Sequence, residues 1–215
     1  MIRLGAGRPD RIAAVGAHCD DIAIGAGGTL LAMCLARPGI RVDALVLSGG
    51  GSEREQEERA ALAAFCPGAD VRASVLKLPD GRLPAYWDEA KAAVEELRGR
   101  TEAELVLAPR TDDAHQDHRG LARLVTTAFR DHLVLGYEIA KWDGDLGRPV
   151  AYQPLPPEIA ERKVRLLQEH YPSQRHRPWY DREAFLGLAR IRGIECHARY
   201  AEAFAVTKLT LNLGG

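Results

Sequence analysis

The sequence predicts an α/β protein with an open, Rossmann-like, mostly parallel sheet and helices on both faces. Two observations lead to that class. Apolar runs of strand length recur at 12–15, 42–47, 71–78, 105–108 and 133–139. Helical patterns fall between these runs rather than after them, which is the rhythm of strands joined by crossover helices, and right-handed crossovers place helices on both faces.

The first run, Ile12–Val15, leads into Ala17-His18-Cys19-Asp20-Asp21 and a glycine-rich helix start, with a Leu-, Ala- and Met-rich helix expected over Gly28–Arg37. Val42–Leu47 is followed by a glycine-rich turn at Ser48–Ser52 and by a helix over Glu53–Phe65, whose alanine face opposes a charged one. After Val71–Leu78 comes the turn Pro79-Asp80-Gly81, then a helix over Asp88–Arg98 that Gly99 stops. Leu105–Ala108 precedes a helix over Arg119–Arg130, and Leu133–Ile139 is the fifth run. The turn-rich segment 141–157, with three prolines after position 150, reads as a surface loop. A helix over Glu158–His170, a second over Glu183–Arg190 and an edge strand over Phe204–Leu213 complete the chain. No repeat, low-complexity tract or composition break divides it, so residues 1–215 are expected to form one domain.

With 215 residues, 46% of them hydrophobic, the chain can bury a sizeable core. Its 29 basic and 30 acidic residues leave a formal charge of −1, which offers no bulk attraction for nucleic acid or an anionic membrane. A small molecule is the expected partner, and homo-oligomerisation is left open. Cys19, Cys34, Cys66 and Cys196 contain no Cys-x-x-Cys pair, so neither a disulfide framework nor a thiolate zinc site is suggested. The apolar run near the amino terminus is too short for a signal peptide or a spanning helix. These readings together predict a cytoplasmic protein without membrane insertion.

Two polar clusters carry chemistry. The segment His18-Cys19-Asp20-Asp21 follows the first strand, and Asp112-Asp113-Ala114-His115-Gln116-Asp117-His118 follows the fourth. Both fall at strand carboxyl ends, where open α/β sheets bind ligands. The first cluster offers one imidazole and one carboxylate suited to zinc, with a second carboxylate left for proton work. In the second, His115 and His118 are three apart and face one point if the turn runs into the helix. As a plain structural alternative, both clusters are solvated turns and Asp117 is a helix cap.

The segments AHCDD and HQDH, in this order and separation, resemble the PIG-L and LmbE-like family of zinc-dependent deacetylases, which remove acetyl groups from N-acetylglucosamine conjugates. The likeness extends over most of the chain. It implies that His18, Asp21 and His118 bind one Zn2+ per chain, other divalent metals being alternatives. It further implies that Asp20 is the general base, that His115 stabilises the transition state and that Asp117 orients an imidazole. Cys19 stands where the family usually has proline. Its side chain is expected to point away from the site, because neighbours on an extended segment alternate. The segments YEIAKWDGDL, HYPSQR and GIECHARYAEAF resemble a subgroup of bacterial saccharide and natural-product pathways.

The expected reaction is hydrolysis of an acetamide on an amino sugar, with a protonated His115 donating to the developing oxyanion and Asp117 raising its pKa. Arg54 and Asp80 fall where related deacetylases contact substrate hydroxyls. Trp142 is a candidate aromatic platform, and Ser173, Gln174 and Arg175 are candidates for a phosphate or nucleotide on the sugar. A metal-dependent amidase acting on another acyl or thiol conjugate is the alternative. A dinucleotide-binding oxidoreductase fits less well, since Leu30 breaks the fingerprint starting at Gly25 and the strand end carries two aspartates that would repel a pyrophosphate. Gly27 and Gly28 more simply let the helix pack near the metal site. A non-catalytic sugar-binding module would need no general base.

Overall fold

Five parallel strands form the larger part of a seven-stranded sheet in the computed structural model, which describes Gly7 and residues 9–210. They are β1 (Arg11–Gly16), β2 (Arg41–Ser48), β3 (Asp70–Leu78), β4 (Leu105–Pro109) and β5 (Leu133–Tyr137), arranged in the order β3-β2-β1-β4-β5. The connecting helices are α1 (Asp21–Ala36), α2 (Glu53–Phe65), α3 (Trp87–Arg100) and α4 (Gln116–Ala128). Strand β1 is apolar and buried after Arg11 because both its faces are covered, as in other parallel sheets. Ile12 and Ala14 join α1, α2 and later helices in one core, while Ala13 and Val15 join α3 and α4 in the other. The period of two along the strand divides its side chains between these cores. The α/β class expected from the sequence is the one observed.

The carboxyl-terminal third departs from the sequence reading. The segment 141–157 contains a strand, β6 (Ala151–Leu155), followed by α5 (Pro157–His170) and α6 (Arg182–Glu195). The last strand, β7 (Tyr200–Val206), lies between β5 and β6 and pairs antiparallel with both. It is thus an interior strand, and the edge belongs to β6, where Pro154 is tolerated because one side of an edge strand needs no ladder donor. Residues 211–213 of the expected strand lie outside the described residues.

Glu202 hid the start of β7. Its carboxylate is buried, accepting from the Gly28 and Thr29 amides at 2.7 Å each and from Lys163 Nζ at 2.6 Å. A charge satisfied this way breaks an apolar alternation without breaking the strand.

Helix α1 begins at Asp21, seven residues ahead of Gly28. Its glycines are close-approach positions within the helix. A Cβ at Gly25 would fall into the ring of Tyr137, and one at Gly28 would lie 2.6 Å from Leu155 and 2.9 Å from Glu202. Gly27 faces Phe65, so these residues seat α1 on the sheet and on α2 rather than on the polar clusters. Tyr137 is fully buried and donates its hydroxyl to Val15 O at 2.7 Å, so it has no room to retreat. Gly25→Ala is therefore expected to destabilise the fold by about 3 kcal/mol, the upper range for overpacking a core. Chemical denaturation checks this, with Gly187→Ala on α6 as the control, since nothing lies within 4 Å of a Cβ there. Among the described residues no helix is long and apolar enough to cross a membrane.

Candidate active site

Strands β1 and β4 are neighbours, but the chain leaves them towards opposite faces, α1 packing in one core and α4 in the other. This divergence opens a crevice at their carboxyl ends, the place where doubly wound sheets bind ligands. Residues 17–21 line it from β1 and residues 110–118 from β4.

The turn after β1 is organised by Asp21. Its Oδ2 accepts from the Ala17 and His18 amides at 2.9 Å each, which turns the carboxylate back under the His18 ring. Asp20 precedes the helix with φ 107°, a left-handed conformation uncommon for a side-chain-bearing residue. Helix α4 starts at Gln116, three residues earlier than expected, and so carries Asp117 and His118 in its first turn.

Three groups converge across the crevice. His18 Nδ1 lies 3.1 Å from His118 Nε2, His118 Nε2 lies 3.3 Å from Asp21 Oδ1, and His18 Nδ1 lies 3.6 Å from Asp21 Oδ2. A tetrahedral ion at about 2.0–2.2 Å from each ligand keeps its ligand atoms about 3.3–3.6 Å apart, so this donor set has the chemistry for zinc and, at 3.1–3.6 Å, lies close to that spacing. Two imidazole nitrogens that meet at 3.1 Å need a cation or a shared proton between them.

Outer partners orient both rings. His18 Nε2 lies 3.0 Å from Asp80 Oδ1 and 3.1 Å from Asp117 Oδ2, which assigns a proton to Nε2 and directs Nδ1 towards Asp21 and His118. On the other imidazole, His118 Nδ1 lies 3.2 Å from Asp113 Oδ2, an ion-pair distance without hydrogen-bond alignment. Asp113 is buried and paired in turn with Lys141 Nζ at 3.0 Å. Neither Asp113 nor Lys141 was singled out from the sequence. Asp113 had a signal, as the second carboxylate of the cluster after the fourth strand, whereas the segment of Lys141 drew attention for Trp142 and its family likeness and not for the lysine.

With no metal bound, these contacts hold protons on the rings. Burial opposes a charge on His118, but the carboxylates of Asp21 and Asp113 outweigh it and lift its pKa from 6.5 to about 9. For His18 burial is again outweighed, by Asp21, Asp117 and Asp80, and its pKa is raised well above the ordinary value. A histidine whose pKa is higher in the folded than in the unfolded chain contributes stability that is complete below the unfolded value and lost as pH rises through the folded one. Chelator-stripped protein is therefore expected to lose melting temperature between about pH 6.5 and pH 9. Thermal melts with and without restored zinc check this, and a flat profile in stripped protein would contradict it.

Asp117 faces an imidazole, that of His18, and has a second task, while His115 differs from the expectation. The Asp117 carboxylate accepts from the Gly81 amide at 2.8 Å and the Leu83 amide at 3.0 Å, so besides facing His18 it ties the turn after β3 to α4. His115 caps α4, its Nδ1 accepting the Asp117 amide at 3.2 Å. Burial and the neighbouring His118 and His18 cations lower its pKa, outweighing the Asp117 carboxylate. The contact to the Asp117 amide leaves Nε2 as the nitrogen that carries a proton, and the lowered pKa disfavours the doubly protonated ring expected from the sequence.

Asp20 is buried, and its Oδ2 lies 3.2 Å from Arg54 Nη2. Burial raises its pKa, Arg54 lowers it and Asp21 raises it again, leaving it at about 6. Arg54 is engaged within the protein, since it also donates to Cys19 O and to Ser173 Oγ, the latter at 2.9 Å. Asp80 has a side chain 76% exposed and reaches His18. Cys19 Sγ faces Ser48 O at 3.4 Å, in the pocket that Gly49 leaves free, and burial pushes its thiol pKa up. The donors of Ser173 and Arg175 are used internally, on Glu57 and on the Gln168 carbonyl, while Trp142 is 65% exposed.

The family profile described as PIG-L, GlcNAc-PI de-N-acetylase, matches residues 13–129, more than half the chain and the part that carries both clusters. The chain belongs to the PIG-L family. It is an enzyme of a de-N-acetylase family. The PIG-L match ends just past α4, whereas likeness to solved folds extends over most of the chain. N,N'-diacetylchitobiose deacetylase from Pyrococcus horikoshii is 19% identical, with a TM-score of 0.71 over 93% of this chain and 84% of that one. The zinc inhibited form of teicoplanin deacetylase Orf2 is 18% identical, with a TM-score of 0.68 over 94% and 100%. The 4-carboxy-2-hydroxymuconate hydratase GalB from Pseudomonas putida KT2440 is 16% identical, with a TM-score of 0.68 over 95% and 99%. At these identities the likeness is one of fold, and the PIG-L fold evidently supports more than one reaction of water.

Proposed function

We propose that the protein is a zinc-dependent N-deacetylase that hydrolyses the acetamide of an N-acetylated amino sugar, borne by a glycoside, a nucleotide or a natural product. The observation that carries this reading is the convergence of His18, His118 and Asp21 within 3.1–3.6 Å of one another, beside a buried Asp20. His18, Asp21 and His118 would hold the ion. When bound there, zinc supplies Lewis acidity and a water of lowered pKa.

Asp20 is the proton acceptor in this reading. Its pKa of about 6 suits a group that must take a proton near neutral pH and give it back. As water adds to the acetamide carbon, its proton passes to Asp20, and the carbon–nitrogen bond then breaks as that proton is delivered to the departing amine. Arg54 holds the Asp20 carboxylate in place, and His115 donates a hydrogen bond from Nε2 to the developing oxyanion. Asp117 and Asp113 fix the rings of His18 and His118. Because this fold also occurs in a hydratase, amide hydrolysis is supported by the family match rather than by the fold.

Acetate release from a panel of N-acetyl amino sugars, free, nucleotide-linked and lipid-linked, with and without chelator, tests the proposal. Chelator-sensitive acetate from at least one is expected. No acetate from any, with release of a bulkier acyl group, would favour the amidase.

A further inference from the structure

We propose that Glu58, supported by Tyr171, is a positioning residue for Asp20. The inference rests on the reading of Asp20 as the proton acceptor, and its physical basis is the backbone of that residue.

Asp20 occupies a left-handed conformation, φ 107° and ψ −23°, that a side chain normally disfavours. Strain of this kind persists only where surrounding contacts over-determine it. Here the Asp20 amide donates to Glu58 Oε2 at 2.8 Å, and the Asp20 carbonyl accepts the Ile24 amide at 2.8 Å in the first turn of α1. Glu58 projects from α2 and is 0% exposed. The same Oε2 accepts the hydroxyl of Tyr171, also fully buried, at 2.7 Å. One carboxylate oxygen therefore joins the amide of the proposed base to the turn that follows α5.

That turn supports Asp20 a second time. Ser173 donates its amide and hydroxyl to Glu57 at 2.9 and 2.6 Å, and its hydroxyl accepts Arg54, which pairs with the Asp20 carboxylate. Adjacent acids of α2 are thus gripped by one short segment, and one grip reaches the main chain of Asp20 while the other reaches its side chain. Among the described residues Glu58 Oε1 is buried and has no hydrogen-bond partner. A buried carboxylate with an unsatisfied oxygen is an unfavourable way to secure a helix, and an apolar residue would do so at lower cost. What the carboxylate supplies that an apolar residue would not is the Oε2 acceptor presented to Asp20.

The test uses full-length protein with two readouts, one of them independent of substrate. Hydrogen exchange at the Asp20 amide, followed by NMR in zinc-loaded protein, is expected to quicken at least about tenfold in Glu58→Ala and to return towards wild type in Glu58→Gln, which keeps an acceptor oxygen. In acetate release, Glu58→Ala is expected to lower kcat by about 10- to 100-fold with KM within about twofold and zinc content unchanged, the size of effect a misplaced group produces. Glu58→Gln is expected to recover most of kcat. Should Glu58→Ala fail to fold, Tyr171→Phe is expected to quicken exchange at Asp20 and lower kcat by a smaller factor. Unchanged exchange in these variants, a Glu58→Gln as impaired as Glu58→Ala, or parallel loss of zinc and activity would overturn the proposal. Absence of acetate with wild-type protein would remove the deacetylase reading alone, and amide exchange would still decide whether Glu58 holds Asp20.

Discussion

Asp20→Asn is expected to cut turnover at least about a thousandfold, the upper range for a general base, while zinc stays near one per chain. Asparagine is the informative substitution because it is among the few residues that tolerate the left-handed backbone found at this position. It keeps the amide that donates to Glu58 and a carbonyl oxygen for Arg54. What it removes is the capacity to accept a proton. Asp20→Ala loses turnover as well, but it adds backbone strain and removes one of the partners of Arg54. Kinetic assay with atomic emission for bound metal separates the two effects. An Asn variant with near-wild-type kcat would remove Asp20 from the chemistry.

His118→Ala is expected to abolish metal retention and to destabilise the protein, whereas Asp80→Ala weakens metal binding only modestly. His118 and Asp21 are both almost wholly buried, and Asp113 behind them is buried too. Removing the imidazole takes away a proposed ligand and one cationic partner of each of two buried carboxylates, a change that costs about 3–5 kcal/mol in comparable buried pairs. Lys141 retains its hold on Asp113 and brings the expected loss towards about 3 kcal/mol. Asp80 reaches His18 from an exposed turn, and solvent can replace it. Its removal is expected to weaken zinc binding about tenfold, in the range for loss of an outer partner. Metal titration and denaturation of both variants check the contrast. Equal effects would show that Asp80 belongs to the ligand set.

Most of what failed in the sequence reading failed through long-range pairing. Glycines at 25, 27 and 28 argued against a helix by intrinsic propensity, yet α1 needs them where it meets Tyr137, Phe65 and Leu155. Glu202 argued against a strand, yet Lys163 and two amides of α1 neutralise it. Asp117 was assigned to an imidazole without a way to tell which, and the turn after β3 placed it on His18. The lowered pKa of His115 comes first from burial and then from His118 and His18, rings that only the fold brings beside it.

Local order was legible because it is written in short-range patterns. Apolar runs separated by helical periods specify parallel strands and crossovers, and the β1 to β5 succession with its four helices follows from them. The placement of both polar clusters at strand ends was equally readable, since each lies within a few residues of its strand. Whether those clusters meet was not, because distance across a sheet depends on strand order, and only the adjacency of β1 and β4 brings His18 to 3.1 Å from His118. The support behind the site was less visible still. Glu58, Tyr171 and Lys141 act on Asp20 and on Asp113 through single hydrogen bonds or ion pairs between segments 28 to 113 residues apart, contacts that no periodicity in the chain encodes.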